Sequence, residues 1–267
     1  MISTAIILAG GLGTRLRSEV PDLPKCMAPV NGQPFLAFVI GYLQKEGIKH
    51  FVFSLGYKSD VVTEYINHNY PQLHKTFIVE EEPLGTGGAL QLAVSGLKDK
   101  HVVVVNGDTL FNVDLKYLCE QHLYLKADCT IALKHLKDFS RYGTVELNED
   151  STIRAFKEKQ YCTEGFINGG VYVLNIHQFL LKAIKPPFSF EKEFLEKYTS
   201  ILKFYGINND HFFIDIGVPE DYKLFQSYSS LILSKQKYKV DAPPAASGHF
   251  DIVDAVIEMI DKIFDDL

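Results

Sequence analysis

Residues 7–16, with the sequence I-L-A-G-G-L-G-T-R-L, lead from a strand-like stretch into a loop that contains three glycines. The stretch Thr4–Ala9 predicts a buried strand, which ends at Gly10. Glycines in such a loop let backbone N–H groups close on phosphate oxygens, because no Cβ stands in the way. Arg15 in the loop and Lys25 in the following Pro24-Lys25 pair suit triphosphate binding and charge stabilisation in phosphoryl or nucleotidyl transfer. For this segment alone, a tight turn with solvated surface cations is an equally good interpretation.

Two common nucleotide-binding folds do not match this loop. A dinucleotide-binding fold requires a third glycine where Leu16 stands, and an acid near the end of the second strand, where Gly56 stands. The phosphate loop of nucleoside triphosphatases is missing too, since no Gly-Lys-Ser/Thr follows. An NAD-dependent enzyme is therefore disfavoured.

The pattern around the loop predicts an α/β fold: a Rossmann-like, mostly parallel (mixed) sheet with helices on both faces. In the first half, strands are predicted at Thr4–Ala9, His50–Leu55, Thr76–Val79 and His101–Asn106, and helices at Pro34–Glu46, Ser59–His68 (beginning at a Ser59 cap) and Thr86–Leu97. After about residue 127, mixed or antiparallel strands are predicted to wall a pocket, at Asp128–Lys134, Gly143–Leu147, Thr152–Phe156, Gly170–Leu174 and Leu202–Tyr205. Two more helices are predicted, at Phe190–Tyr198 and Pro219–Tyr228.

Composition limits the class of protein. The chain has 267 residues, 46% of them hydrophobic, which is enough for a core and excludes disordered, collagen-like and disulfide-scaffold proteins. The net charge of −6 argues against a nucleic-acid partner, which would need a basic surface. The four scattered cysteines predict reduced thiols, and no apolar run approaches the roughly 18 residues of a membrane span. We therefore expect a cytoplasmic protein with no membrane partner.

Two acids follow strand-like segments and are candidates for holding a metal ion. Asp108 ends V-N-G-D after a four-valine strand, and a carboxylate at the carboxyl end of a strand can hold Mg²⁺ against phosphate oxygens. Asp215 lies between apolar neighbours in F-I-D-I-G, so its carboxylate is predicted to point inward and to need a partner or a metal. Taken singly, a turn cap explains Asp108 and a helix-entry acid explains Asp215.

The remaining polar motifs have weaker signals. Residues 80–89, E-E-E-P-L-G-T-G-G-A, open a helix and could present backbone groups to a base or ribose, although a capping turn explains them nearly as well. Arg141-Tyr142-Gly143, Glu158-Lys159 and Asn168-Gly169-Gly170 suit recognition of a hydroxyl-rich sugar, with Lys159 on a phosphate. Each of these alone is better explained as surface decoration.

In order, these motifs resemble those of the sugar-1-phosphate nucleotidyltransferases, or nucleoside-diphosphate-sugar pyrophosphorylases. The matching stretches are L-A-G-G-L-G-T-R-L, P-K, E-P-L-G-T-G-G-A, N-G-D, Y-G, E-K, N-G-G and D-I-G-V-P-E-D-Y, which together cover about residues 3–228. The resemblance implies a glycosyltransferase-A-like nucleotidyltransferase fold. It assigns residues 1–230 to the nucleotidyltransferase domain, residues 231–248 to a linker and residues 249–267 to an acidic amphipathic C-terminal helix.

The resemblance also implies a role for each matching residue. The nucleotide-binding set is Leu8, Ala9, Gly10, Gly11, Gly13, Thr14, Arg15, Lys25, Glu82, Gly85, Thr86 and Asn106. The set that binds the sugar phosphate is Gly107, Tyr142, Gly143, Glu158, Lys159, Asn168 and Gly169. The catalytic set is Arg15, Lys25, Asp108 and Asp215, and the last two of these hold Mg²⁺.

The reaction implied is attack of a sugar 1-phosphate on the α-phosphorus of a nucleoside triphosphate, with release of pyrophosphate. The E-P-L-G-T-G-G-A, D-F-S-R-Y-G-T-V and F-I-N-G-G-V-Y stretches are most similar to members that use GTP and D-glycero-α-D-manno-heptose 1-phosphate, whose products enter capsule or lipopolysaccharide assembly. Guanylyltransferases of mannose 1-phosphate and uridylyltransferases of N-acetylmuramate 1-phosphate remain alternatives. A non-catalytic subunit that senses sugar nucleotides is a further alternative from another class.

The chain departs from the family pattern at two places. Cys26 stands where members usually have Pro, which is expected to loosen the loop while leaving Lys25 intact. Residues 231–267 have no counterpart in the short-bodied members. The predicted apolar stripe of this segment must be covered, by the body of the protein or by a second copy in a homo-oligomer.

Overall fold

The computed structural model describes residues 2–237, and residues 231–237 by their backbone alone. Thirteen strands are described: β1 Thr4–Leu8, β2 Pro29–Val30, β3 Gln33–Pro34, β4 His50–Leu55, β5 His74–Val79, β6 His101–Asn106, β7 Thr109–Phe111, β8 Cys129–Phe139, β9 Thr144–Leu147, β10 Ile153–Phe156, β11 Cys162–Asn175, β12 Phe204–Asn208 and β13 Phe213–Asp215. Six α-helices are described: α1 Phe35–Lys45, α2 Ser59–Asn69, α3 Gly85–Val94, α4 Leu115–Tyr124, α5 Ile176–Leu180 and α6 Pro219–Lys237. Short 3₁₀ turns occupy Thr14–Leu16 and Lys25–Met27, and a π-helix occupies Phe190–Glu196.

The central sheet is mixed, as predicted. Strands β5, β4, β1 and β6 are neighbours in that order and run parallel. Strand β11 pairs antiparallel with β6 and also with β8, and β8 pairs parallel with β12. Strand β9 pairs with the first half of β11, and β10 pairs with β9 at the edge, so the second half of the chain extends the sheet from a single long strand.

Helices cover both faces of the sheet because side chains alternate along its buried strands. Val103 and Val105 of β6 point into a core formed with α1, α2, α4 and α6. Val102 and Val104 of the same strand point into a second core, formed with α3, α5 and the π-helix. The α/β fold class with helices on both faces is therefore confirmed. No helix among residues 2–237 is long and apolar enough to cross a membrane.

Several predicted elements have different bounds in the structure. Strand β11 has 14 residues instead of the five of Gly170–Leu174, and α4 was not predicted. Helix α2 has no Ser59 cap, because its N-cap is Lys58 in a left-handed conformation with no side-chain cap bond. Helix α6 continues past the predicted end at Tyr228 and includes the first seven residues of the predicted linker. The rest of that linker and the predicted acidic helix lie outside the described residues.

Candidate active site

The loops after β1 and β6 meet at the carboxyl edge of the sheet. From β1 the chain builds outward through β4 to β5 and then returns to β6 on the other side of β1, and ligands bind at such switch points of α/β sheets. Gly107 N donates to Leu8 O at 2.9 Å, which fixes the two loops against each other. A cavity of about 740 Å³ opens beside them.

All twelve residues that the sequence assigns to the nucleotide line this cavity. The lining also includes Gly107 and Asp108, and residues that sequence reasoning missed: Leu12, Cys26, Ser54, Gly56, Tyr57, Glu80, Glu81, Pro83, Ala89, Glu191 and Gly217. Five acids on this lining (Glu80, Glu81, Glu82, Asp108 and Glu191) face two bases, Arg15 and Lys25. A polyphosphate in this cavity therefore needs positive charge beyond what the two bases supply.

The glycine loop is shaped by contact with Lys25. Gly13 has φ 57°, a left-handed conformation, and a Cβ at this position would lie 3.0 Å from the Cβ of Lys25. The next three residues form a 3₁₀ turn that leaves Arg15 exposed and buries Leu16 in the core. Gly11 has nothing within 4 Å of its Cβ position, so its backbone is open to the cavity. The loop therefore exposes Arg15 and the backbone of Gly11 to a ligand.

Lys25 and Asp108 of the cavity lining form one charged cluster with Asp215, which is not itself part of the lining. Strand β13 pairs with β7 at Asp215 and Thr109, and Ile216 N donates to Asp108 O at 3.0 Å. Lys25 Nζ donates to Asp108 Oδ2 and lies 3.4 Å from Asp215 Oδ1. The sequence places these residues up to 190 positions apart, and the small β7–β13 sheet brings them together.

Asp215 is the most enclosed acid of the cluster. Burial raises the pKa of its carboxyl group and the nearby Asp108 raises it further, while Lys25 and the Gly217 N–H lower it. Gly217 N donates to Asp215 Oδ1 at 2.7 Å. A Cβ on Gly217 would lie 2.7 Å from Asp215 Oδ1 and 2.8 Å from Lys25 Nζ, so a side chain there would displace the charged ends of both residues.

The residues of this cluster fit Mg²⁺. Two carboxylates are hard oxygen ligands, and Mg²⁺ is usually bound by one or two carboxylates together with water and substrate phosphates. Among the described residues no group of three or more His, Cys, Asp or Glu could enclose a metal by itself. This donor set suits an ion that shares its coordination with a substrate, and not a closed structural metal site.

Glu80 lies deeper in the cavity than the predicted Glu82. Glu80 N donates to Leu55 O at 2.9 Å, which continues the β4–β5 ladder by one residue. Its Oε2 accepts a bond from Leu84 N at 3.1 Å. Its Oε1 packs against two glycines. A Cβ on Gly10 would lie 3.0 Å from this oxygen, and a Cβ on Gly56 would lie 2.6 Å from it. Glu80 is half-buried, whereas Glu81 and Glu82 are exposed.

The glycines that open α3 have a packing role. A Cβ on Gly85 would lie 2.5 Å from Phe188 O, and a Cβ on Gly87 would lie 2.2 Å from the Phe188 ring. Thr86 Oγ1 donates to Glu191 Oε2 at 2.8 Å and accepts a bond from Phe190 N at 2.9 Å. Gly85 and Thr86 line the cavity and also anchor the segment that leads into the π-helix.

Tyr142, Gly143 and Glu158 lie in the strand-rich half, outside the cavity lining. The Tyr142 ring packs edge-on against Phe213 at 6.0 Å, and burial followed by the charge of Asp215 raises the pKa of its phenol. A Cβ on Gly143 would lie 2.4 Å from Lys157 O, beside Glu158. Tyr142 is thus near the acid cluster, and Gly143 holds the Glu158 segment close to it.

The other predicted sugar-phosphate residues are more scattered. Asn168 Nδ2 donates to the hydroxyl of buried Tyr172 at 2.9 Å, so part of its amide is used within the fold. Gly169 lies against Phe111, whose ring would be 2.3 Å from a Cβ at that position. Lys159 is exposed, and the structure does not bring it to the cavity.

The chain matches a family model described as "Nucleotidyl transferase" over residues 4–228. This protein belongs to the nucleotidyl transferase family. It is 50% identical over 222 residues to a D-glycero-alpha-D-manno-heptose 1-phosphate guanylyltransferase of Aneurinibacillus thermoaerophilus, covering 83% of this chain and 96% of that one. It is 44% identical to the protein of the same name from Campylobacter jejuni, covering 83% and 97% of the two chains.

The structure of this nucleotidyl transferase is similar to that of HddC from Yersinia pseudotuberculosis. The TM-score is 0.77 at 36% identity, covering 85% of this chain and 99% of that one. A second crystal structure of HddC, with a TM-score of 0.76, is described as complexed with GMP-PN. The structure of an inositol-1-phosphate CTP transferase from T. maritima, 20% identical with a TM-score of 0.72, shares the fold.

Cys26, next to Lys25 in the sequence of the transferase, is buried. Burial raises the pKa of its thiol to about 12, so it stays protonated at neutral pH. Cys26 lies within the 3₁₀ turn Lys25–Met27, where Ala28 N donates to Lys25 O at 3.0 Å. The turn therefore forms with Cys26 at the position where members of the family usually have proline.

Proposed function

We propose that this transferase moves the guanylyl group of GTP to D-glycero-α-D-manno-heptose 1-phosphate, forming the GDP-sugar and releasing pyrophosphate. The observation that carries this proposal is the 50% identity to a heptose 1-phosphate guanylyltransferase across 96% of that protein. The 36% identity to HddC, described in complex with GMP-PN, supports the choice of a guanine nucleotide. Because GTP is a cytoplasmic nucleotide, we place the reaction in the cytoplasm.

The cavity residues bind and orient the two substrates. Backbone N–H groups of Gly10–Arg15 and the Arg15 guanidinium are placed to hold the triphosphate, and Lys25 to neutralise charge on the α-phosphate. A sugar 1-phosphate is already anionic at pH 7, so its oxygen can attack the α-phosphorus without a strong general base. Rate enhancement then rests on alignment and charge neutralisation. The cavity's cations and glycines supply both.

Asp108 and Asp215 would hold Mg²⁺ in this proposal. A bound divalent cation would neutralise charge on the reacting phosphates, which the acid-rich cavity lining requires. The raised pKa of Asp215 reflects burial beside a second carboxylate, and a cation shared by the two carboxylates favours their charged forms.

Glu80 is the best candidate for recognising guanine. The Watson–Crick edge of guanine has two adjacent donors, N1–H and the exocyclic amino group, and an ionised carboxylate is an acceptor with two oxygens. Glu80 is the half-buried acid of residues 80–82, and its carboxylate lines the cavity where it packs against the glycines at positions 10 and 56. The exposed Glu82 would then contact solvent or the ribose.

For the sugar phosphate, we assign recognition to Tyr142, Gly143 and Glu158, with Asn168 and Gly169 shaping the wall behind them. Tyr142 is the residue of this group with the most direct link to the acid cluster, through Asp215. Lys159 is exposed and outside the cavity lining, so its assignment to the sugar's phosphate rests on the motif resemblance alone.

Pyrophosphate release tests the proposal directly. GTP, UTP, dTTP, CTP and ATP would each be paired with heptose, mannose, glucose and N-acetylmuramate 1-phosphates in the presence of Mg²⁺. We expect turnover confined to GTP with the heptose. Stronger turnover with another pair would correct the substrate, and no turnover with tight binding of a sugar nucleotide would favour a sensing subunit.

A further inference from the structure

Both acids that the proposed function assigns to a divalent cation already contact a cation of the chain itself, and the inference below rests on that function. Lys25 Nζ donates to Asp108 Oδ2 and lies 3.4 Å from Asp215 Oδ1. The Lys25 side chain is only 11% exposed, so its ammonium group is enclosed by the cluster. Lys25 and a metal ion therefore compete for the same two carboxylates.

The position of the Lys25 side chain allows its ammonium group to reach a second site, at the phosphate-binding loop. The Cβ of Lys25 lies 3.0 Å from the Cβ position of Gly13, so the stem of the side chain leaves the backbone beside the phosphate-binding loop. The 3₁₀ turn Lys25–Met27 fixes the backbone here. Rotation about the side-chain bonds alone can carry Nζ from the acids toward a phosphate at the loop.

We propose that Lys25 is an internal counter-ion of the Asp108–Asp215 pair, which the metal displaces, and that displacement frees the ammonium group for the nucleotide phosphates. Metal binding and phosphate binding are then linked through one side chain. In the absence of metal, Lys25 holds the two carboxylates together. Once metal binds, the same positive charge is available at the loop, where the triphosphate is expected.

The proposal predicts that loss of Lys25 strengthens metal binding to the enzyme without substrates. In Lys25→Met the carboxylates have no competing cation, so the affinity for Mn²⁺ should rise by at least about tenfold, which is less than the full strength of one close charge interaction near a protein surface. Binding would be measured on the full chain by the electron paramagnetic resonance signal of free Mn²⁺, with no nucleotide or sugar present. This readout does not depend on turnover.

Arg15→Met is the matched control. Arg15 also lines the cavity, but the described residues show no ion pair between it and either carboxylate. Its loss should leave the Mn²⁺ affinity within about twofold of wild type, whereas a general effect of removing a cavity cation would strengthen binding in both variants. Equal affinity in Lys25→Met and wild type would overturn the proposal.

Acid variants separate this proposal from the metal assignment. Asp215→Asn should weaken Mn²⁺ binding in both the wild-type and the Lys25→Met background. If neither Asp108→Asn nor Asp215→Asn changes the Mn²⁺ affinity in either background, the metal assignment itself is wrong. If both acid variants weaken binding while Lys25→Met does not strengthen it, only the displacement is wrong.

A measurement on the unmodified chain avoids any variant that fails to fold. Acetylation of Lys25 by a lysine-specific reagent, followed by mass spectrometry, reports how accessible Nζ is. Adding Mg²⁺ alone should increase labelling of Lys25 and leave labelling of Lys116 on α4 unchanged. Labelling of Lys25 that does not respond to saturating Mg²⁺ would contradict displacement.

Discussion

At the scale of single residues, the proposed metal site depends on Asp108. Asp108→Asn removes one of the two carboxylates near Lys25, and we expect turnover to fall by at least roughly a hundredfold, as for other removed charge-stabilising groups. Pyrophosphate release at limiting Mg²⁺ would measure this. Asp60→Asn, an exposed acid on α2, is the matched control and should keep wild-type turnover. Full activity of Asp108→Asn under these conditions would refute the assignment.

Glu80 determines the choice of base if it binds guanine as proposed. Glu80→Gln should raise the KM for GTP by about ten- to a hundredfold, because a hydrogen bond to a charged group contributes about 1.5–3 kcal/mol. The wild type should prefer GTP to ITP, which lacks the exocyclic amino group, and the variant should lose most of that preference. Glu81→Gln changes an exposed acid of the same cavity and should retain the preference. Unchanged discrimination in Glu80→Gln would place the base elsewhere.

The sequence identified which acidic segment lines the cavity but not which of its acids is half-buried. Residues 80–82 are three consecutive glutamates, and motif resemblance alone led to Glu82. Glu80 follows the last residue of β5 and continues its ladder, so it lies on the same strand face as Ile78. Strand alternation was the signal that could have found it. By contrast, the contact of Lys25 with two acids depends on the β7–β13 pairing, which no local pattern reveals.

At the scale of elements, the packing of α3 against Phe188 depends on Gly87. Alanine is favoured over glycine by about 1 kcal/mol inside a helix, but the Phe188 ring would lie 2.2 Å from the new Cβ. Because overpacking costs about 1–3 kcal/mol, Gly87→Ala should lower the free energy of unfolding, measured by urea denaturation. Gly96→Ala introduces a Cβ that has nothing within 4 Å, so it should change the free energy of unfolding by less than about 0.5 kcal/mol. Equal stability of the two variants would show that the Phe188 segment adapts freely.

Arg141 connects the strand-rich half to the start of α6. Its Nη2 lies 2.6 Å from Asp221 Oδ2, and its guanidinium lies over the Tyr142 ring at 5.6 Å. Arg141→Gln and Asp221→Asn should each raise the KM for the sugar phosphate several-fold, with little change for GTP, and the double variant should resemble either single one. Stability should hardly change, because half-exposed ion pairs contribute about 0–1 kcal/mol. Lys223→Gln, which removes a cation of α6 and breaks its pair with Glu19, is the control. Additive effects on KM would mean that the two residues act separately.

The long strand β11 shows why some element bounds escaped prediction. Its centre contains Asn168-Gly169-Gly170, a sequence typical of a turn, and the register shifts between Asn168 and Tyr172. Gly170 has φ 73°, and a Cβ there would lie 2.7 Å from Asn106 Nδ2. Helix α4 was missed for a related reason, because its buried stripe includes Cys119 and His122 as well as leucines. In both elements tertiary contacts, not local propensity, determine the structure.

At the scale of the whole molecule, the buried strands of the parallel half were the easiest features to predict. Strands β4 and β6 have the predicted bounds, because both are apolar runs bounded by polar residues. The switch point between β1 and β6 follows from the strand order, and it puts motifs from residues 8, 25, 85 and 108 around one cavity. The residues predicted to bind the sugar phosphate depend on how the strands after residue 127 pair, which the alternation of strands and helices does not specify.

His122 links the stability of the whole fold to pH. Its side chain is fully buried, with Nε2 2.9 Å from His101 Nδ1 and Nδ1 2.9 Å from Thr130 Oγ1. Burial, and then the neighbouring His101, lower the pKa of His122 to about 3. Above about pH 6.5 neither the folded nor the unfolded state binds this proton, so the fold keeps its full stability there. As the pH falls from 6.5 toward 3, only the unfolded chain is protonated, and stability declines by up to about 1.4 kcal/mol per pH unit.

We therefore expect this histidine alone to lower the free energy of unfolding by about 2 kcal/mol between pH 7 and pH 5. His101 and His50, whose pKa values burial also lowers, contribute in the same direction. Urea denaturation at each pH gives the free energy of unfolding. Plotted against pH, this free energy should have a shallower slope for His122→Gln than for wild type, whatever the absolute stability of the variant. Changing the exposed His68 of α2 to Gln should leave the slope as it is. A wild-type slope in His122→Gln would mean that the buried imidazole accepts its proton without unfolding, and that the His101–His122 pair carries the charge inside the fold.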